Sequence, residues 1–212
     1  MKRTSKTQAR YERIAPLYDV MEILPERRYS SWRRHLWSIV QGPKVMEVGV
    51  GTGKNMPFYP DDVEITAIDL TPGMLKRARQ RAVVLDIGVD LQIGDVQALE
   101  FPDNSFDECV ATFVFCSVPD PILGLRELAR VTKPGGHLLL LDHVRSGNEI
   151  AGFVMDVMNP LAVRVTGANI NRQTAENVRQ SGWQLELEKN MGMKGVFKML
   201  VATNGTSLPI SS

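Results

Sequence analysis

Apolar residues in this chain fall into short runs that alternate with longer stretches of helical spacing. Near the N-terminus, "ARYERIAPLYDVM" sets Tyr11, Ile14, Leu17/Tyr18 and Met21 three or four residues apart, the stripe of one helix face. "SWRRHLWSIV" places Trp32, Leu36 and Ile39 on one face and turns Arg33 and Arg34 toward another. The spacing predicts two helical pieces, over 7–22 and 27–40, divided at Pro25, with Pro16 bending or ending the first. From residue 44 the period shortens. "KVMEVGV", "VEITAIDL", "VDLQIGD", "FDECVATFVFC" and "HLLLLDHV" read as five strands. Between them, "NMPFYP" reads as a short turn. "TPGMLKRARQRAVVLD" reads as a helix capped by Thr71 with Pro72 at its first position, and "DPILGLRELARVT" as a helix stopped by "KPGG".

Strands alternating with helices predict a parallel sheet covered on both faces. "WQLELEK" and "FKMLVATN" are separated only by "NMGMKGV", which predicts a hairpin and an antiparallel strand at the sheet edge. The expected class is α/β, a doubly wound, mainly parallel sheet with an edge hairpin and N-terminal helices. Residues 145–172 break the alternation: they are apolar, Met-rich and interrupted at Pro160 and Gly167. They follow the fifth strand, where a doubly wound sheet opens its ligand crevice, so they read as a helical lid; an ordinary crossover helix is the alternative. The chain divides as a single domain, 1–212: an N-terminal helical segment 1–42, a core 43–144, the lid 145–172, and a C-terminal helix and hairpin 173–204.

Composition adds constraints. At 212 residues the chain builds one good core. Charged residues are 23% and hydrophobic ones 43%, with a net charge of +1. Residues 1–44 hold ten Lys/Arg against four Asp/Glu, a local +6, so the remainder carries −5. A basic N-terminal segment suits an anionic membrane or a nucleic acid, or is simply a solvated helix surface. No apolar run is long enough to span a bilayer, and the N-terminus lacks the apolar core of a secretory signal. The expected location is cytoplasmic, with peripheral contact at the inner face of the membrane. Cys109 and Cys116 sit in or beside apolar runs and do not form a disulfide framework. His35, His137 and His143 are scattered, so no metal site is expected.

The candidate chemistry lies in "KVMEVGVGTG". A P-loop would need Ser or Thr after Gly53-Lys54, where Asn55 stands. A dinucleotide fingerprint would need a third glycine where Lys54 stands. What is present is Glu47 followed by Gly49, Gly51 and Gly53 at alternate positions. A carboxylate there repels a pyrophosphate and attracts an ammonium or sulfonium, so the expected ligand is cationic at that end. Asp69 closes the second strand, where a carboxylate can accept both hydroxyls of a ribose. Asp95 follows the third strand and can accept from an adenine amino group.

These residues carry a resemblance. "EVGVGTG", "IDLTPGML", "GDVQALEFPDNSFD" and "LARVTKPGGHLLLLDHV" resemble the successive motifs of the class I S-adenosylmethionine-dependent methyltransferases, over about residues 10–202. The resemblance implies a seven-stranded Rossmann-like methyltransferase fold. It implies S-adenosylmethionine as cofactor and S-adenosylhomocysteine as product. Carried over by position, Gly49, Gly51 and Gly53 lie against the methionine and ribose parts. Asp69 takes the ribose hydroxyls, Asp95 and Val96 the adenine, and Met74 packs beside them. Glu47, Asn55, Leu70 and Thr112 complete the implied cofactor set. Tyr18, the tyrosine of "APLYD", closes over the cofactor and counts as both a catalytic and a cofactor-binding residue.

Within that class, "YERIAPLYDVM" and "WRRHLW" resemble the quinone C-methyltransferases and the bacterial phosphatidylethanolamine N-methyltransferases. "TFVFCSVPDP", "LDHVRS" and "TGANINRQT" also resemble membrane-associated thiol S-methyltransferases. All three imply an amphiphilic acceptor, with a phospholipid first. A nucleic-acid partner is not expected, because "TFVFC" replaces the signature of base-modifying enzymes. His143, at the end of the fifth strand, is the expected catalytic proton acceptor. Asp142 points to the opposite face from it. Cys116 is expected to line the pocket, and Arg172 to meet an acceptor phosphate or start a helix. A protein that keeps the cofactor loop and transfers nothing is the reading from a different class.

Overall fold

The short apolar runs become seven strands of one sheet in a computed structural model that describes residues 8, 9, 11, 12, 23–166, 169–192 and 195–205. The strands are β1 (Lys44–Val48), β2 (Glu64–Asp69), β3 (Asp90–Ile93), β4 (Phe106–Thr112), β5 (Thr132–His143), β6 (Trp183–Gly192) and β7 (Phe197–Asn204). The helices are α1 (Ile23–Trp37), α2 (Pro72–Leu85), α3 (Pro121–Val131), α4 (Glu149–Thr166) and α5 (Thr174–Gln180). A 3-10 turn, Met56–Phe58, follows the glycine loop. Across the sheet the order is β3-β2-β1-β4-β5-β7-β6. Strands β1 to β5 pair in parallel, and β7 runs antiparallel between β5 and β6. The chain winds outward from β1 to β3, then restarts on the other side of β1 at β4. That reversal opens a crevice at the carboxyl ends of β1 and β4. The expected doubly wound sheet and hairpin are present, with β6 as the outermost strand.

Strand alternation sorts the core into two layers. Met46 and Val48, Cys109 and Ala111, and Leu138 and Leu140 pack against Leu125 and Leu128 of α3 and Val178 of α5. Val45, Val110, Leu139 and Leu141 face the other way, against Leu36 and Trp37 of α1 and Leu75 and Ala78 of α2. The same parity decides which helix layer each polar strand residue meets. Glu47, Thr112 and His143 fall on the α1 side, and Asp142 on the α3/α5 side.

Several boundaries differ from the sequence expectation. Pro25 does not divide two helices. It lies in the first turn of α1, where its missing N–H would have had no partner. Of the first expected helix, residues 8, 9, 11 and 12 are helical, and Tyr18 lies outside the described residues. Strand β4 stops at Thr112 because Phe113 takes a left-handed φ of 59°. Strand β5 starts earlier than expected, at Thr132. It bulges through "KPGG" between the pairs Phe106–Thr132 and Glu108–His137, and the close approach there needs a glycine, since a side chain on Gly136 would lie 2.3 Å from the Asp107 carbonyl. Residues 149–166 form one helix that runs through Pro160. Among the described residues no helix is long and apolar enough to cross a membrane.

Candidate functional site

At the end of β1 the backbone turns sharply. The N–H groups of Gly49 and Val50 both donate to the Ile68 carbonyl, at 2.8 and 3.1 Å. A side chain at Gly49 would sit 2.4 Å from Val114 Cγ2, so the loop closes only around a glycine. Gly51 has φ 56°, and a side chain there would meet nothing nearer than the Gly49 carbonyl at 4.0 Å. The space it leaves opens on a cleft of about 960 Å³, partly open to solvent.

Eight of the expected residues line this cleft. Gly49, Gly51 and Thr112 come from the β1 and β4 ends, Asp69, Leu70 and Met74 from the β2 end and α2, and Asp95 with Val96 from the β3 end. Asp69 ties two loops together. Its Oδ2 accepts from Gly51 N at 2.9 Å and its Oδ1 from Thr71 N at 2.8 Å. Burial raises its pKa, and those two backbone donors pull it back down. Asp95 accepts from the backbone and side chain of Gln97. No His/Cys/Asp/Glu group among the described residues is arranged to hold a metal ion.

Four expected residues stand back from the cleft: Glu47, Gly53, Asn55 and His143. Gly53 packs on Met56, whose sulfur would lie 2.7 Å from a side chain there. Glu47 is 0% exposed, because alternation turns it under α1 with Val45. Its two oxygens accept from Asn55 Nδ2 and the Tyr59 hydroxyl. Burial pushes its pKa up to about 7, against those hydrogen bonds and the attraction of Arg33. The carboxylate expected to face a cationic ligand is therefore one layer behind the wall.

The groups that do face the cleft at this end are basic. Arg33 and Lys54 both line it. Arg33 is buried and donates through Nη1 to Asn55 Oδ1 at 2.9 Å and Thr112 Oγ1 at 2.8 Å. Its Nε donates to Glu26 Oε1 at 3.1 Å, and its guanidinium lies 5.1 Å from the Phe113 ring centre. Its Nη2 makes no hydrogen bond within the described residues. By its sequence, Arg33 counts among the basic, outward-turned residues of the N-terminal segment, with no place at the cofactor site; the structure buries it. The available signal was an arginine adjoining the apolar stripe of α1, which does not separate a surface arginine from a buried one. Tyr11, placed on an apolar stripe by the sequence, also lines the cleft, and burial drives its phenol pKa up. Gln8 Nε2 donates to the Leu70 carbonyl, and Gly73 N to Glu12, so this helical piece sits over the β2 end.

The end of β5 splits its two polar residues. His143 turns toward α1 and meets Phe197 edge-on at 5.2 Å, beside an aromatic cluster of Tyr29, Trp32 and Phe113. Burial lowers its pKa, so the ring is neutral at pH 7. Asp142, 2% exposed, turns toward α5. Its Oδ1 accepts from His143 N at 2.9 Å, while its Oδ2 has no hydrogen-bond partner among the described residues. Burial raises its pKa to about 7. Cys116 is buried beside it, with its thiol pKa pushed well up, and does not line the cleft. Arg172 Nη2 donates to the Val118 carbonyl at 2.6 Å, which holds the wall formed by Ser117, Val118 and Pro119.

Comparison with known proteins agrees with this geometry. A methyltransferase-domain profile matches residues 46–140. The chain is 40% identical over 107 residues to a phosphatidylethanolamine N-methyltransferase of Cereibacter sphaeroides, covering 49% of this chain and 52% of that protein. It is 36% identical over 146 residues to a demethylmenaquinone methyltransferase of Renibacterium salmoninarum, covering 66% of this chain and 60% of that protein. The matches thus span between half and 60% of the length of these curated relatives. A SAM-dependent methyltransferase of Thermotoga maritima superposes with a TM-score of 0.71 at 23% identity, over 92% of this chain and 99% of that one. The [4+2]-cyclase SpnF superposes with a TM-score of 0.67 at 19% identity, over 85% and 81%. Such likenesses establish the fold, and the second shows that this fold also hosts other chemistry.

Proposed function

We propose that this chain, an S-adenosylmethionine-dependent methyltransferase by its core domain and fold, methylates an amphiphilic acceptor, with the amine of phosphatidylethanolamine as the first candidate. The observation that supports the reading is the cleft itself. A glycine loop, two acidic strand ends and an apolar slot meet where the sheet reverses direction. The residues fit the cofactor. The space left by Gly51 admits a ligand against the backbone. Asp69 keeps free lone pairs for ribose hydroxyls. Asp95 and the buried Val96 and Met74 suit an adenine ring. Arg33 Nη2 offers a charge-assisted donor to the methionyl carboxylate.

The bound cofactor supplies a methyl group already activated on a sulfonium. The protein's work is then to bind, to align the acceptor and to exclude water. The loop and Asp69 hold one another, so the ribose site is formed before the ligand arrives. Tyr11 and the 117–119 wall also line the cleft.

The lipid reading draws on the phosphatidylethanolamine N-methyltransferase match. Quinone C-methylation is the second reading, favoured by the longer match to a demethylmenaquinone methyltransferase. The test is mass spectrometry of products formed from a mixture of phosphatidylethanolamine vesicles, a demethylquinone and an alkyl thiol with methyl-labelled cofactor. Labelled methylated phosphatidylethanolamine is expected. Label confined to the quinone or the thiol would move the assignment to that acceptor.

A further inference from the structure

Helix α4 carries an apolar face that no other described residue covers. Ile150, Phe153, Val154, Val157 and Met158 recur at the spacing of a single helical stripe, and they are 79, 66, 53, 62 and 47% exposed. Such a stripe normally faces a core. Here the opposite side of the helix is the one held against the protein. Arg145 packs across Gly152 and pairs with Asp156 at 2.9 Å. Ser146 N donates to Met155 Sδ at 3.3 Å, and Asn159 exchanges hydrogen bonds with Asn169 and Ile170. The rotation of α4 about its axis is therefore set by specific contacts, and the outward stripe is part of the architecture.

We propose that this face docks the protein onto a lipid bilayer, with α4 lying in the interface parallel to the surface. The stripe contains no charge. Between residues 150 and 158 the only ionised side chain is Asp156, on the opposite face and paired with Arg145. Five partly exposed side chains present on the order of 500 Å² of apolar surface, less than the ~800 Å² per partner that a stable dimer buries. A bilayer accepts such a ridge by immersion of about 5–10 Å. The helix does not qualify as a membrane span, so it lies on the surface rather than crossing it.

The placement ties docking to the cleft. Directly after α4, the N–H and Nδ2 of Asn169 both donate to the Cys116 carbonyl, at 2.8 and 3.1 Å, and Arg172 holds the Val118 carbonyl. Ser117, Val118 and Pro119 form part of the cleft wall. The docking face and this wall belong to one hydrogen-bonded unit. The inference stands on α4 itself and is independent of which acceptor is methylated.

The test is co-sedimentation of the full chain with neutral phosphatidylcholine vesicles at low and high salt. The wild type is expected to sediment with them at both. A double variant, Phe153→Asp with Val157→Asp, is expected to bind about tenfold less or worse. Its melting temperature and its affinity for S-adenosylhomocysteine should be unchanged, because both side chains are exposed. Wild-type protein that stays in the supernatant, or a double variant that binds as well, overturns the proposal. So does a wild-type dimer in light scattering that the double variant dissolves, since the face then takes a second copy. Binding that needs anionic lipid and low salt, untouched by the variant, places the contact on basic residues instead and also overturns it. Vesicle binding combined with methylation of a soluble thiol alone would defeat the lipid-acceptor reading and leave the docking face standing.

Discussion

Arg33 shows how one residue can decide the character of a site. It joins α1 to Asn55 and Thr112 while lining the cleft. Arg33→Leu is expected to weaken S-adenosylhomocysteine binding by about 1.5–3 kcal/mol, the range for a lost hydrogen bond to a charged group. Arg33→Lys should recover only part of it, because a lysine cannot keep both partners and the ligand. Equal affinity for wild type and Arg33→Leu in calorimetry would remove Arg33 from the cofactor's surroundings. Asp69→Ala should cost a similar ~1.5–3 kcal/mol, since Asp69 orders Gly51 as well as facing the ligand. Calorimetry showing unchanged affinity would remove Asp69 as well. Asp142 gives a pH signature. Its folded pKa of about 7 lies above the usual carboxylate value, so between about pH 4 and pH 7 the folded state binds more protons than the unfolded chain. Its contribution to stability is therefore full at low pH and falls as the pH rises through that window. Melting temperatures of Asp142→Asn against wild type should converge near pH 4 and diverge in favour of the variant by pH 7. A constant difference across that range would contradict the raised pKa of this buried carboxyl.

Among the elements, the strands were the legible part. Runs such as "HLLLL" and "KVMEV" declare themselves because both sheet faces are covered, so every position is apolar except where chemistry intrudes. The α2 start was equally plain in "TP", since a proline at the first helical position is a local rule. Pro25 misled because the same residue can end one helix or open the next, and only the packing of α1 on the sheet decides between them. The glycine loop was recognisable as a ligand cradle, and Gly51 is its sharpest test. Gly51→Val must adopt φ 56° and place its side chain in the cleft. Cofactor binding is expected to be lost, by about 2 kcal/mol or more, with only modest destabilisation. A folded variant with normal affinity by calorimetry would contradict the loop's role. What the sequence could not show was the direction of side chains relative to the cleft. Glu47 and His143 sit at strand ends that face the crevice, yet neither side chain lines the cleft.

At the scale of the molecule, sheet order turns separate motifs into one site. The β3-β2-β1-β4 order places four strand ends side by side, so residues 63 positions apart, Gly49 and Thr112, line a common cleft. The α/β class, the hairpin and the cofactor loop followed from local patterns. The role of the N-terminal segment and the outward face of α4 did not. A helical stripe looks the same in sequence whether it meets a core, a bilayer or another protein, and only the folded body shows which side is already occupied. The central claim, that this cleft holds S-adenosylmethionine and passes its methyl group to an amphiphile, is tested most directly by incubating the protein with radiolabelled S-adenosylmethionine and phosphatidylethanolamine vesicles, then counting label in the organic extract. The account predicts label in methylated phospholipid, abolished in Gly51→Val and reduced in Asp69→Ala. Tight cofactor binding with no label in any extractable product would contradict it and leave a protein that binds the cofactor without spending it.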